Sequence, residues 1–231
     1  MALTEWLRAA LEASPLTEEA RDYLMGRAAT PEIIDTWGIK VWDPPLEPCP
    51  QRNLHEHYGA HFERFEGKVI YPLYNPRGKL LGFDSRHIDR KDDVRFLLPE
   101  SHWNPVWIGM PFAMEALWEG RDLIVVEGRY DVFAMLRLLA AIESDKGVLG
   151  SGPARLSWKQ TEHLYRWMRG HVYMVYDNDD PGKKGTADAL EVLSRRQVPC
   201  SRLPYGKSGD DPGLIWDRGG VEALRTAFRY L

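Results

Sequence analysis

The spacing of apolar positions divides the chain into three stretches. Between residues 3 and 29, Leu3, Leu7, Ala10 and Leu11 precede Pro15, and Ala20 and Leu24 follow it, all at helical spacing. This predicts helices on both sides of that proline. Thr30-Pro31-Glu32 has the cap-then-proline order of a helix start, and predicts a short helix ending near Gly38. Residues 42–61 hold four prolines, Cys49 and three histidines, and read as an irregular connection.

The middle stretch has strand character. Lys68–Tyr74 and Lys79–Phe83 flank Asn75-Pro76-Arg77-Gly78, which carries the proline and glycine of a tight turn, so a hairpin is predicted. Residues 96–98 read as another short strand. From about residue 119 apolar strands and amphipathic helices alternate. The strands are 123–126, 147–149, 172–176 and 198–203. Between and after them come a helix with Val132, Leu136, Leu139 and Ala140 on one side, a helix over 156–169 with Leu164, Trp167 and Met168 inward, and helices over 183–196 and 220–230. Leu123–Val126 is apolar throughout, as expected of a strand covered on both faces. The fold class is therefore α/β: an open, mostly parallel sheet flanked by helices over 119–231, preceded by a smaller mixed α/β subdomain over 1–118.

Composition narrows the picture. The 231 residues are 44% apolar, enough for one substantial core or two small ones. No uncharged apolar run approaches the roughly 18 residues of a membrane span, so no membrane partner is expected. The N-terminus carries Glu5 and Glu12 and lacks a signal peptide's basic start and apolar core. Cys49 and Cys200 alone exclude a disulfide framework and a four-cysteine zinc ribbon, and a cytoplasmic location is expected. A net charge of −4 means that any nucleic-acid contact would need local basic patches.

Acidic residues fall where such a sheet places its ligands. Glu127 follows the strand 123–126 directly; Asp177 and Asp179 follow 172–176; Asp210 and Asp211 lie in the loop after Leu203. The C-terminal ends of parallel strands line one edge, the usual ligand edge. Carboxylates gathered there repel unless a cation neutralises them. Oxygen donors without His or Cys select magnesium or manganese over zinc. Taken singly, each acid reads as a helix cap or turn former; three sites after successive strands are harder to explain that way.

These residues carry a resemblance. Val-Val-Glu127-Gly128-Arg-Tyr-Asp131 resembles the first Toprim motif, and Asp177-Asn-Asp179-Asp-Pro-Gly182-Lys-Lys-Gly185 the second. Arg64 to Arg86, with its Arg77-Gly78 turn and Gly82-Phe83, is similar to the segment preceding the Toprim domain of DnaG-type bacterial primases. Val94-Arg95-Phe-Leu97, Ile108-Gly109, Leu149-Gly-Ser-Gly152 and Leu203-Pro-Tyr-Gly206…Asp211-Pro212 match further segments of that family. The resemblance covers about 20–231, loosely before 64.

The resemblance implies that Glu127, Asp177, Asp179 and Asp211 or Asp210 hold one or two magnesium (or manganese) ions, and that no zinc is bound. Asp131, four residues after Glu127, either faces the same site or stabilises a helix N-terminus. Arg64, Lys68, Arg86, Arg95 and Lys183 correspond to positions for template or nucleotide phosphates. The implied activity is synthesis of short RNA primers on single-stranded DNA from nucleoside triphosphates. A replicative helicase or a separate zinc-binding protein is the implied partner, and a phage or other mobile replicon an implied source. Asp-Pro-Asp of the family becomes Asp211-Pro212-Gly213, losing one acid, and neither the zinc ribbon nor a helical bundle after Leu231 is seen. The alternatives are a Toprim nuclease and a non-catalytic module that binds single strands or a helicase.

Two other patterns weigh less. Gly206-Lys-Ser208 has Ser201 where a P-loop needs its first glycine. His55-Glu-His57…His61 has Gly59 where a zincin needs its second histidine, leaving only a stray zinc site with Cys49 against an exposed loop. Trp37, Trp158 and Trp167 are expected in a core or interface instead of stacked on bases.

Overall fold

The computed structural model describes residues 3–43, 62–89, 96–97 and 106–231. The chain divides into two compact units, Met1–Gly26 with Thr30–Asn104, and Arg27–Ala29 with Pro105–Leu231.

In the first unit, α1 (Leu3–Ala13) and α2 (Glu18–Gly26) lie either side of Pro15, and α3 is Pro31–Trp37. Thr30 caps α3, its hydroxyl accepting from Ile33 N at 3.2 Å, and Gly38 closes it at φ 76°. Strands β1 (Lys40–Val41), β2 (Val69–Tyr74), β3 (Leu80–Arg86) and β4 (Phe96–Leu97) form an antiparallel sheet in that order. The expected hairpin turn is held by Asn75 Oδ1, which accepts from Arg77 N (2.9 Å) and Lys79 N (3.0 Å). Trp6, Leu7 and Leu11 of α1 pack with Trp42, Phe65, Ile70 and Phe83 as the core. Trp37 is fully buried and donates to Pro72 O at 2.8 Å. Cys49, the three histidines at 55, 57 and 61, and Arg95 lie outside the described residues.

The second unit holds the parallel sheet. Its strands are β5 (Leu123–Val126), β6 (Gly147–Gly150), β7 (Val172–Met174) and β8 (Cys200–Arg202), in the order β6-β5-β7-β8 with every pairing parallel. The helices are α4 (Met114–Glu119), α5 (Arg129–Ala141), α6 (Trp158–Trp167), α7 (Asp180–Arg195) and α8 (Pro212–Ala227). All four residues of β5 are buried, as its unbroken apolar run requires of the strand paired on both edges.

Several elements differ from expectation. Residues 106–119, assigned from sequence to the N-terminal subdomain, belong to the second unit: Ile108 bridges Gly150 at the end of β6, and α4 buries Ala116 and Leu117. Helix α7 begins at Asp180, because Asp179 caps it and Pro181 suits its first turn. Element α8 holds two helical segments separated by Gly219 and Gly220, whose dihedrals are not helical. The second segment matches the helix expected from 220, and the first, with Asp211 as its cap and Pro212 at its first position, was not expected. On α5 the buried face is Val132, Phe133, Met135, Leu138 and Leu139, while Ala140 is exposed. Trp158 is 71% exposed: it opens α6 just after the Ser157 cap, and the inward face is Gln160, His163 and Leu164.

Candidate metal centre

In a parallel sheet of this order, the strand order reverses between β5 and β7, and the crevice at the C-terminal ends of those two strands is where α/β sheets bind ligands. Glu127 directly follows β5 at that point, and Asp177 follows β7. The two are joined directly: Asp177 N donates to Glu127 Oε1 at 3.0 Å. Burial and the Asp179 and Asp211 charges push the Glu127 carboxyl up, against the lowering effect of that hydrogen bond. Asp177 is pushed up to about 8 by burial and by the charges of Asp131, Glu127, Asp211 and Asp179. Its Oδ1 is buried with no hydrogen-bond partner among the described residues.

Asp131 is buried beneath them. Its carboxylate accepts from Gly128 N (2.8 Å) and Gly213 N (3.2 Å), so it ties the turn after β5 to the start of α8. Burial and the Asp211 charge raise it to about 7, although both amide bonds act the other way. Of the two readings of Asp131, the bonds support the structural one, a clamp on two loops.

Asp210 and Asp211, neighbours in sequence, face opposite ways. Asp210 is buried, bonded to Lys207 N (2.8 Å) and paired with Arg218. Those partners outweigh the cost of burial and hold its carboxyl below the usual range. Asp211 raises Glu127, Asp131 and Asp177 through its charge, so it is the member of the pair on the acid side. It also caps α8, accepting from Leu214 N at 2.6 Å, as Asp179 caps α7 by accepting from Gly182 N at 2.8 Å.

Among the described residues, no three histidine, cysteine or carboxylate side chains are drawn together tightly enough to hold a metal ion as they stand. The donor chemistry still fits a hard divalent cation: every candidate ligand is oxygen, three carboxyls are raised by burial and by one another's charge, and one buried oxygen lacks a partner. Magnesium is commonly held by one or two carboxylates with waters and substrate phosphates, which Glu127 and Asp177 can supply.

The basic candidates are dispersed. Lys183, in the first turn of α7, lies 3.4 Å from Ser208 Oγ in the loop after β8. Arg64, Lys68 and Arg86 belong to the first unit. Arg64 is exposed and Arg86 half-buried at the end of β3. Lys68 is 3% exposed with its ammonium 5.7 Å from the centre of the Phe65 ring, a packed position unsuited to a solvent-facing phosphate contact.

One residue that organises the site escapes motif reading. Asn178, between Asp177 and Asp179, points away from the acids. Its Nδ2 donates to Tyr205 O (3.2 Å) and Lys207 O (3.0 Å), and its Oδ1 accepts from Arg202 at 3.0 Å. It thereby fastens the loop after β8, with Asp211, to the loop after β7. Only its place as the middle residue of Asp-x-Asp hinted at this. Gly182 and Gly185 have a packing reason: a Cβ would fall 2.0 Å from Asp177 O and 1.9 Å from Ala154 O.

Residues 124–213 match the Toprim-like family. The chain is 26% identical over 234 residues to the DNA primase of Deinococcus radiodurans, covering 91% of this chain and 40% of that protein. It thus spans about two fifths of the length of that curated relative. Among solved structures, the zinc-binding and RNA polymerase domains of the Aquifex aeolicus primase superpose with a TM-score of 0.70 at 23% identity, covering 99% of this chain and 59% of that one. A DnaG primase catalytic domain bound to single-stranded DNA gives 0.69 at 21% identity, covering 96% and 76%. Segment 124–213 is Toprim-like, and the chain has the fold of the DnaG catalytic core.

Proposed function

We propose that this chain is the catalytic core of a DnaG-like DNA primase, joining nucleoside triphosphates into short RNA primers on single-stranded DNA in the cytoplasm. The observation that carries the reading is the Glu127–Asp177 pair at the point where strand order reverses in the sheet, in a chain similar to DNA primases over nine-tenths of its length.

In this reading Glu127, Asp177 and Asp211 would hold magnesium or manganese, with Asp179 beside them and Asp210 excluded by its Arg218 pair. The ion would supply positive charge to neutralise phosphate during in-line attack by a 3′-hydroxyl. Asp131 and Asn178 keep the three acid-bearing loops in register through their backbone bonds. Arg64, Arg86 and Arg95 serve template or nucleotide phosphates, to which the guanidinium fork is suited; Lys183 approaches phosphate from the first turn of α7. A replicative helicase or a zinc-binding protein is the partner to test.

A second reading, a module that binds single strands without turnover, is favoured by one feature. Where the family has an acid, Gly213 instead donates its amide to Asp131. The deciding experiment is template-dependent dinucleotide synthesis with magnesium or manganese, with and without an added primase zinc-binding domain. Product that disappears in Glu127→Gln supports the polymerase. Strand binding without product supports the module, and metal-dependent cleavage of the strand would point to a nuclease.

A further inference from the structure

The loop after β8 and the helix α8 line an open cavity of about 930 Å³. Its wall carries four cations, Arg202, Lys207, Arg218 and Arg229. Its carboxylates are Asp210, already paired with Arg218, and Glu222, paired with Arg225. Arg202 bonds to the neutral Asn178, and Arg229 lies over the Tyr230 ring at 4.8 Å. Positive charge on this wall therefore exceeds negative, in a chain whose net charge is −4. The floor is apolar, from Ile215, Ala223 and Ala227, and the rim holds Tyr230, 67% exposed. A volume of this order is that of a small-ligand pocket, about 300–1,000 Å³.

We propose that this cavity is a second phosphate-binding site that takes a nucleotide unit, with phosphates on Lys207, Arg202 and Arg229 and the base against Tyr230. An anion needs guanidinium and ammonium donors. A flat, partly apolar body needs an exposed ring and an apolar floor. Both lie on one wall here. The unit is either a free nucleoside triphosphate or one nucleotide of a strand. The site backs onto the acids through Asn178, which holds Arg202 with its side chain while its neighbours are Asp177 and Asp179. The inference does not rest on the polymerase reading, because its test reads binding and involves no turnover.

The test uses the full chain in chelator, where uncompensated carboxylates disfavour phosphate at the acid centre. Binding of ATP, of tripolyphosphate and of 5′-phosphorylated oligothymidylate is measured by calorimetry. The expected result is that ATP or the oligonucleotide binds, whichever of the two being the natural source. Lys207→Gln with Arg229→Gln should weaken that binding about tenfold or more, since two opposite charges are lost. Tyr230→Ala should weaken it while leaving tripolyphosphate unchanged. Two results would overturn the site: no binding of either nucleotide probe, or undiminished binding by the double variant. Insensitivity of ATP and oligonucleotide to Tyr230→Ala would overturn the nucleotide assignment.

Discussion

The amide of Asp177 donates to the carboxylate of Glu127 at 3.0 Å, across 50 positions of chain. The bond joins the loops after β5 and β7 and uses one oxygen of Glu127 and neither oxygen of Asp177. Removing either carboxylate therefore has separable effects. Asp177→Asn keeps the amide donor and the shape while deleting a charge, so the fold should persist. Metal-dependent primer synthesis should fall by about 100-fold or more, the scale on which charge-stabilising groups matter. Circular dichroism and a dinucleotide assay on the same preparation check both halves; near-normal synthesis would remove Asp177 from the site.

Asp210 and Asp211 give a sharper contrast. Asp211→Asn preserves a good helix cap and deletes the charge that acts on Glu127, Asp131 and Asp177. Magnesium affinity should weaken with little change in stability. Asp210→Asn breaks the buried pair with Arg218 and should destabilise by about 1–3 kcal/mol, with the smaller effect on metal affinity. Urea unfolding beside a magnesium titration tells them apart, and the reverse ranking would exchange their roles.

This contrast marks where sequence stops being informative. Glu127 and Asp177 were legible because each follows an apolar run that can only be a covered strand, and the end of such a strand is a ligand edge. Asp210 and Asp211 are adjacent acids in one glycine-containing loop, and no periodicity says which faces the crevice. The loop conformation decides, through Lys207 N and Arg218 on one side and Leu214 N on the other. The first helical segment of α8 was written in Asp211-Pro212, and the helix expected from 220 is the second segment, set off by the non-helical dihedrals of Gly219 and Gly220. Asn178 was invisible because its partners, Tyr205 O and Lys207 O, are backbone atoms nearly 30 positions away. The burial of Lys68 was hidden for the opposite reason, since a lysine beside a strand looks exposed until its ammonium is found 5.7 Å from the centre of the Phe65 ring.

Gly182→Ala should fail in folding before it fails in function. The added methyl would sit 2.0 Å from Asp177 O and 3.0 Å from Asp177 N, backbone atoms of the loop that carries the acid. Relief requires α7 to move off that loop. The expected cost is about 3 kcal/mol or more, on the scale of severe overpacking, seen as a lower melting temperature or insoluble protein. By contrast, a methyl at Gly209 meets nothing within 4 Å, and its strain comes only from φ 83°. Gly209→Ala should therefore be milder, at about 1–2 kcal/mol. Equal melting temperatures for the two variants would contradict this packing argument.

Stability should fall as pH rises when divalent cations are removed. In the unfolded chain aspartates titrate near about 4, whereas in the folded protein Asp177 is raised to about 8 and Asp131 to about 7. Between those limits the folded state holds more protons than the unfolded one, and by linkage stability decreases with pH across the interval. Their contribution is fully present below pH ~4 and is lost as pH passes the folded values. Asp210 and Glu162 are lowered and work in the other direction, but their gain is complete by about pH 5. His163, pushed down to about 4 by burial, adds stability as pH rises toward about 6.5, so the comparison of wild type with Asp177→Asn, which share His163, isolates the acid over the window from pH 5 to 8. In chelator the urea midpoint of the wild type should drop through it. Asp177→Asn, which cannot ionise, should flatten much of the drop, and added magnesium should restore the midpoint most at the upper end, where the carboxylates are charged. The same pH profile from 5 to 8 in wild type and Asp177→Asn would show that the Asp177 carboxyl is not held in the protonated form by its surroundings.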